Sequence, residues 1–150
     1  MTESQTEPRI YRFKRITVLG CGLTGSNIAV RLSDLGNIVT IIDKASDAMT
    51  KLPEDRVETK RIIPIVGDGT LESVMRMAST QDADVYISTT NITSVNLISA
   101  LMANYIFQVP DVTSVVHDIG LGELAHKCGI SIINPLDLIV DKLSDLSQDT

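Results

Sequence analysis

Three glycines fall within six positions of the stretch "ITVLGCGLTG" at residues 16–25. Gly20, Gly22 and Gly25 form G-x-G-x-x-G between an apolar β-branched run and a segment of helical periodicity. In that setting the first glycine permits a tight turn, the second lets a pyrophosphate approach the backbone, and the third lets helix and strand pack closely. The loop Gly20, Cys21, Gly22, Leu23, Thr24, Gly25 would then present main-chain amides at a helix N-terminus to an anion. Glycine-rich turns also serve packing alone, so the neighbouring residues decide.

Asp43 closes the second apolar run, 18 residues beyond Gly25 and 23 beyond Gly20. That is the spacing of a carboxylate that accepts hydrogen bonds from a ribose diol, although a helix N-cap before "KASDAM" is a second use for it. An acid there disfavours a 2′-phosphate and hence NADP. Lys44 either pairs with a phosphate or is solvated. "GDGT" at 67–70 ends the third run, where Asp68, with Gly69, either faces an adenine or caps the next helix. Thr89, Thr90 and Asn91 follow the fourth run and are placed to line the crevice where strand order reverses.

Six short β-branched runs must position these residues: "ITVL" (16–19), "IVTII" (38–42), "RIIPIV" (61–66), "DVYIS" (84–88), "VTSVV" (112–116) and "ISII" (130–133). Their alternation with amphipathic segments predicts an α/β fold, a Rossmann-like doubly wound parallel sheet with helices on both faces. Pro64 inside the third run fits the strand order 3-2-1-4-5-6, in which the third strand is an edge. The helix entering after Gly25 should bury Ile28, Ala29, Leu32 and Leu35, and Gly36 and Gly129 should follow helix ends. Asn134 then Pro135 reads as an N-cap and first helical residue of a last helix. Residues 92–107 predict a helix with apolar residues on more than one face, which meets either a second protein or the chain's own final helix.

Charge and composition exclude several classes. The net charge is −6, shared as +1 over residues 1–76 and −7 over 77–150, and aromatics make up 3% with no Trp. Nucleic-acid backbones and anionic lipid would be repelled by the second half, and no stacking platform for single strands is available. Arg9, Arg12, Lys14 and Arg15 read as a solvated lead-in to the first strand. Cys21 and Cys128 lack CxxC spacing and a signal peptide precedes neither, which reads as reduced thiols in the cytoplasm. No apolar run reaches the ~18 residues that span a bilayer, so direct membrane insertion is not expected. Residues 1–13 are expected to form a flexible tail, 14–134 the nucleotide-binding domain and 135–150 its C-terminal helix.

Taken in order, "VLGCGLTG", "IID", "VGDGT", "DADVYISTTNITSVNLISALMA" and "VVHDIGLGELAHKCGISIINP" resemble the TrkA-N domain, also called RCK or KTN, across roughly residues 14–143. The resemblance implies a cytoplasmic regulatory module of a potassium channel or transporter. It implies a homodimer, often a ring of dimers, that binds NAD(H), ADP or ATP without chemistry and passes shape changes to an integral-membrane pore. Leu23 stands where many members carry Arg, and Val115 then His117 where a basic residue is common. Those cations help hold terminal phosphates, so their replacement weighs against an ATP-specific trigger. The family's smaller C-terminal subdomain is absent from these 150 residues.

Two enzyme classes share the glycine turn. An NAD-dependent oxidoreductase would also need an acid or base, and the only imidazoles, His117 and His126, have no recognisable partner; neither Tyr86 nor Tyr105 is followed by Lys four positions on. An S-adenosylmethionine-dependent methyltransferase usually has an acid two residues before the first glycine, where Val18 stands, and its third glycine where Thr24 stands. No Gly-Lys-Ser/Thr follows the turn, which removes a P-loop. A non-enzymatic nucleotide sensor is the expectation.

Overall fold

Each β-branched run forms a strand because alternate side chains are covered from opposite faces of one sheet. The computed structural model describes residues 12–148; residues 1–11 of the expected tail, Arg9 among them, and the last two residues lie outside that range. The strands are β1 (Arg15–Leu19), β2 (Ile38–Asp43), β3 (Ile62–Val66), β4 (Val85–Ser88), β5 (Asp111–Val115) and β6 (Ser131–Ile133). All pairings are parallel and the order is β3-β2-β1-β4-β5-β6, as the sequence predicts. The helices are α1 (Leu23–Asp34), α2 (Glu54–Glu58), α3 (Glu72–Met77), α4 (Thr93–Tyr105), α5 (Ile119–Lys127) and α6 (Pro135–Gln148).

Two cores follow from the period of two along a strand. Ile16, Val18, Val39, Ile41 and Ile62 bury on one face with Ala29 of α1 and with Ala48 and Leu52 from the turn after β2. Leu19, Ile42, Tyr86 and Val112 bury on the other with Met75 of α3, Ala100 and Ala103 of α4, and Ala125 of α5. Pro64 sits opposite Ile41 on the edge strand β3, whose single neighbour is β2. The register aligns Leu19 with Ile42 and Ser88, and Asp43 with Val66, so the carboxyl ends of the central strands open on one side.

The buried face of α1 differs from the apolar stripe read in the sequence. Leu35 is exposed, because it is already the C-cap and Gly36 turns the chain away at φ +90°. Ser26 and Ser33 are buried instead, their hydroxyls donating to the carbonyls of Leu23 (3.2 Å) and Val30 (2.7 Å). Small residues with locally satisfied hydroxyls allow the helix to lie close to the sheet. Gly129 follows α5 at φ +83°, and the Asn134 side chain accepts from the Leu136 amide (3.0 Å) at the start of α6.

Of the two alternatives for the apolar helix after β4, cover by the chain's own last helix does not occur. Ile98, Tyr105 and Ile106 stay exposed, and residues 136–147 of α6 are exposed along their whole length, Leu136, Ile139, Val140, Leu143 and Leu146 included. No helix among the described residues is long and apolar enough to cross a membrane.

Ile41 is fully buried between α1 and its strand neighbours. Ile41→Ala is expected to cost about 2–5 kcal/mol of unfolding free energy, through lost transfer energy plus an unfilled cavity, read from urea denaturation.

Candidate functional site

The turn from β1 into α1 is set by contacts that exclude side chains. Gly20 has φ +103°, and a Cβ on Gly25 would lie 1.8 Å from the Gly20 carbonyl oxygen. A Cβ on Gly22 would meet nothing within 4 Å, so this glycine leaves open space in front of the loop. Gly22 is the N-cap and makes no side-chain bond; the first helical bond runs from the Ser26 amide to the Gly22 carbonyl (2.9 Å). The amides before Ser26 therefore have no helical acceptor and form a positive helix end.

Asp43 ties this loop to the next strand. Its Oδ2 accepts from the Cys21 amide (2.8 Å) and its Oδ1 from the Ala45 amide (2.9 Å). The expected N-cap role is not what the carboxylate performs, since the 3-10 segment that follows, Ser46–Lys51, has Ala45 as its cap. Each oxygen keeps a further lone pair, and the two bonds hold the carboxylate in one orientation at the cleft.

Asp68 likewise does not cap α3, which starts four residues later with Leu71 as N-cap. Instead its Oδ1 accepts from the Thr70 amide (2.9 Å) and hydroxyl (2.7 Å). These bonds, first the hydroxyl, and then the nearby Lys44 ammonium hold the Asp68 carboxyl below its ordinary range, against the opposing effect of burial.

A cleft of about 370 Å³ joins these groups. Gly20, Gly22, Leu23 and Thr24 form one side; Asp43 and Lys44 follow the floor made by Leu19 and Ile42; Asp68 and Gly69 stand beyond them. Thr89, Thr90 and Asn91 close the remaining side. Cys21 and Gly25 do not line it. The Cys21 side chain turns into the core beneath α1, its thiol donating to the Ala48 carbonyl (3.4 Å), and burial, with Asp43 nearby, pushes that thiol up. Gly25 is covered by Gly20 and Thr89.

A family model for the TrkA-N domain matches residues 16–135. The chain belongs to the TrkA-N family. Among curated relatives, this TrkA-N chain is 31% identical over 96 residues to the Trk system potassium uptake protein TrkA of Halomonas elongata, covering 64% of this chain and 20% of that protein. To the protein of the same name from Streptomyces coelicolor it is 23% identical over 128 residues, covering 85% of this chain and 56% of that one. The chain thus spans between a fifth and somewhat over half of these relatives.

Solved structures share the fold. The TrkA-N domain of the inner membrane protein YbaL from Escherichia coli superposes with a TM-score of 0.77 at 14% identity, over 91% of this chain and 98% of that one. The GsuK channel bound to NAD gives 0.65 at 15%, over 83% and 22%. The Shewanella denitrificans Kef C-terminal domain in AMP-bound form gives 0.69 at 13%, over 89% and 80%.

The sequence reading of this TrkA-N domain missed Gly67, Ile92 and Val95, which also line the cleft. Ile92 and Val95 belong to the 92–107 segment whose apolar residues fall on more than one face, and these two sit at the entry to α4, where the helix opens beside the switch point. Gly67 has a packing reason as well, since a Cβ there would lie 2.8 Å from Val74 Cγ1.

Two expectations come from this geometry. Gly25→Ala must push α1 off the turn, costing about 1–3 kcal/mol or more, measured by thermal unfolding, and should distort the loop. Thr70→Val removes the hydroxyl that does most to depress the Asp68 carboxyl, so its titration midpoint, followed by carboxyl-carbon NMR, should rise. A depressed carboxylate adds stability above its ordinary range and loses it as pH falls through the folded-state value, and in Thr70→Val that contribution shrinks.

Proposed function

We propose that this TrkA-N domain is a cytoplasmic nucleotide sensor that regulates a potassium channel or transporter. It takes NAD(H) or an adenine nucleotide such as ADP or ATP into the cleft and performs no chemistry on it. The observation that carries this reading is the convergence of the helix-end amides and the oriented Asp43 carboxylate on one cleft, within a family whose relatives are named for potassium uptake. The glycine-loop amides would hold the diphosphate, Asp43 the ribose diol, and Asp68 with Gly69 the adenine side. Lys44 would neutralise part of the phosphate charge. Thr89, Thr90 and Asn91 would close over the second half of the ligand. The NAD- and AMP-bound neighbours described above support an adenine nucleotide as the ligand class.

The regulatory output requires that nucleotide favour one arrangement of two protomers over another, because equal affinity for both would shift nothing. A coupling of roughly 1–3 kcal/mol is the usual scale. The exposed apolar side chains on α4, α5 and α6 support a homodimer or a larger ring, and the integral-membrane pore would be the next partner. The two enzyme alternatives differ in one respect, since an oxidoreductase or a methyltransferase would consume its nucleotide.

Calorimetry against NAD⁺, NADH, AMP, ADP, ATP, NADP⁺ and S-adenosylmethionine, with chromatography of the mixtures over time, tests this. Saturable binding of an adenine nucleotide without turnover is expected, with NADP⁺ weaker than NAD⁺. Turnover of any of them sinks the sensor reading. Asp43→Ala should weaken NAD⁺ binding by about 1.5–3 kcal/mol through lost charged hydrogen bonds; unchanged affinity removes Asp43 from the site.

A further inference from the structure

Asn96 is fully buried one turn inside α4, yet its side chain makes every hydrogen bond an amide can make. Its Oδ1 accepts from the Thr90 amide (2.9 Å) and the Thr90 hydroxyl (2.6 Å). Its Nδ2 donates to the Thr90 carbonyl (2.8 Å) and to the Val115 carbonyl at the end of β5 (2.9 Å). The orientation is unambiguous, because one end of the amide meets two donors and the other two acceptors.

Three of these four bonds go to a single residue, and that residue is the middle of the cleft's closing side. Fastening a helix to a sheet would need only the bond to Val115. Thr90 is held through its amide, its carbonyl and its side chain together, which fixes the peptide planes on both sides of it. Its neighbour Thr89 is fastened from the other direction, with amide (2.8 Å) and hydroxyl (3.1 Å) both donating to the Leu19 carbonyl. The segment also abuts the glycine turn, since a Cβ on Gly20 would come within 3.2 Å of the Thr90 amide nitrogen. A shift of Thr90 would therefore change the shape of the cleft and press on the phosphate loop together.

A polar layer behind Asn96 extends this lock. The Asn96 carbonyl accepts from the Ser88 hydroxyl (3.0 Å), and the hydroxyls of Ser88 and Ser114 share a bond of 2.9 Å. Both serines are buried, on the adjacent central strands β4 and β5. The cleft's closing side is thus joined to the carboxyl end of β5 by side chains that never reach solvent.

Building on the nucleotide reading above, we propose that Asn96 is a positioning residue for ligand binding. It touches no ligand; it keeps Thr89–Asn91 in the shape that receives one, so that binding does not have to order the segment. Loss of the amide takes the Asn96 bond from the Thr90 amide, the Thr90 carbonyl and the Val115 carbonyl and leaves the Thr90 hydroxyl only its bonds with the Ile92 main chain, at 3.2 Å each, and the segment relaxes.

The test uses the 150-residue chain with NAD⁺ and AMP as calorimetric probes, at a temperature where circular dichroism shows each variant folded. Asn96→Ala should raise Kd for both at least tenfold. Asn96→Ser, which retains a short hydroxyl near Thr90, serves if the alanine variant fails to fold, and should weaken both probes in the same direction. Val112→Ala, a core truncation on β5 away from the cleft, should lose comparable thermal stability while holding Kd within twofold of wild type. Folded Asn96 variants with wild-type Kd, or Val112→Ala weakening binding as much as they do, would overturn the positioning role while leaving the nucleotide reading intact. Failure of the wild-type chain to bind either probe overturns both.

Discussion

The contact between the Gly20 carbonyl oxygen and the Cα of Gly25 sets how closely α1 can follow β1, and the remaining geometry is arranged around it. Because no side chain intervenes, the helix begins directly above the end of the central strand. Its unpaired amides then stand beside the carboxylate that ends β2, and the Cys21 amide bonds to that carboxylate. A bulkier residue at either position would separate the positive helix end from Asp43, and the two would no longer address one small molecule.

Parallel pairing supplies the second condition. It points every strand's carboxyl end to the same edge of the sheet, so four strand ends deliver their loops to one opening. The order reverses between β1 and β4, and there the two adjoining helices diverge. That divergence is the space the cleft occupies. The helices on either side are small-residue packed where they meet the sheet: Gly25, Ser26 and Ala29 in α1, and Ser99, Ala100 and Ala103 in α4. Membership of the TrkA-N family and the observed strand order agree with this construction.

Much of this was legible in the residues themselves. The six strands could be read from β-branched runs, and the edge position of β3 from Pro64, because those signals are local and their physics is strong. The glycine spacing and Asp43 could be read for the same reason, since a turn without side chains and an acid at the next strand end leave few other uses. What escaped depends on distance in the chain. Asp68 bonds to Thr70 rather than to the helix because the intervening loop is longer than the residue types suggest. Asn96 carries no local signal of its role, because its partner on β5 lies 19 positions away. Ile92 and Val95 count as apolar in any periodicity, which cannot tell a cleft from a protein contact. Leu35 continues the apolar stripe in the sequence but lies one residue past the end of α1, because hydrophobicity does not record where a helix stops.

Pro64 has one more consequence. An outermost strand normally offers a row of amides and carbonyls to which a foreign strand can add, extending the sheet from molecule to molecule. At β3 that row is interrupted by a residue without an amide hydrogen, opposite Ile41 and in the middle of a five-residue strand. A strand added along this border would lack one ladder bond at its centre, which disfavours sheet extension from molecule to molecule.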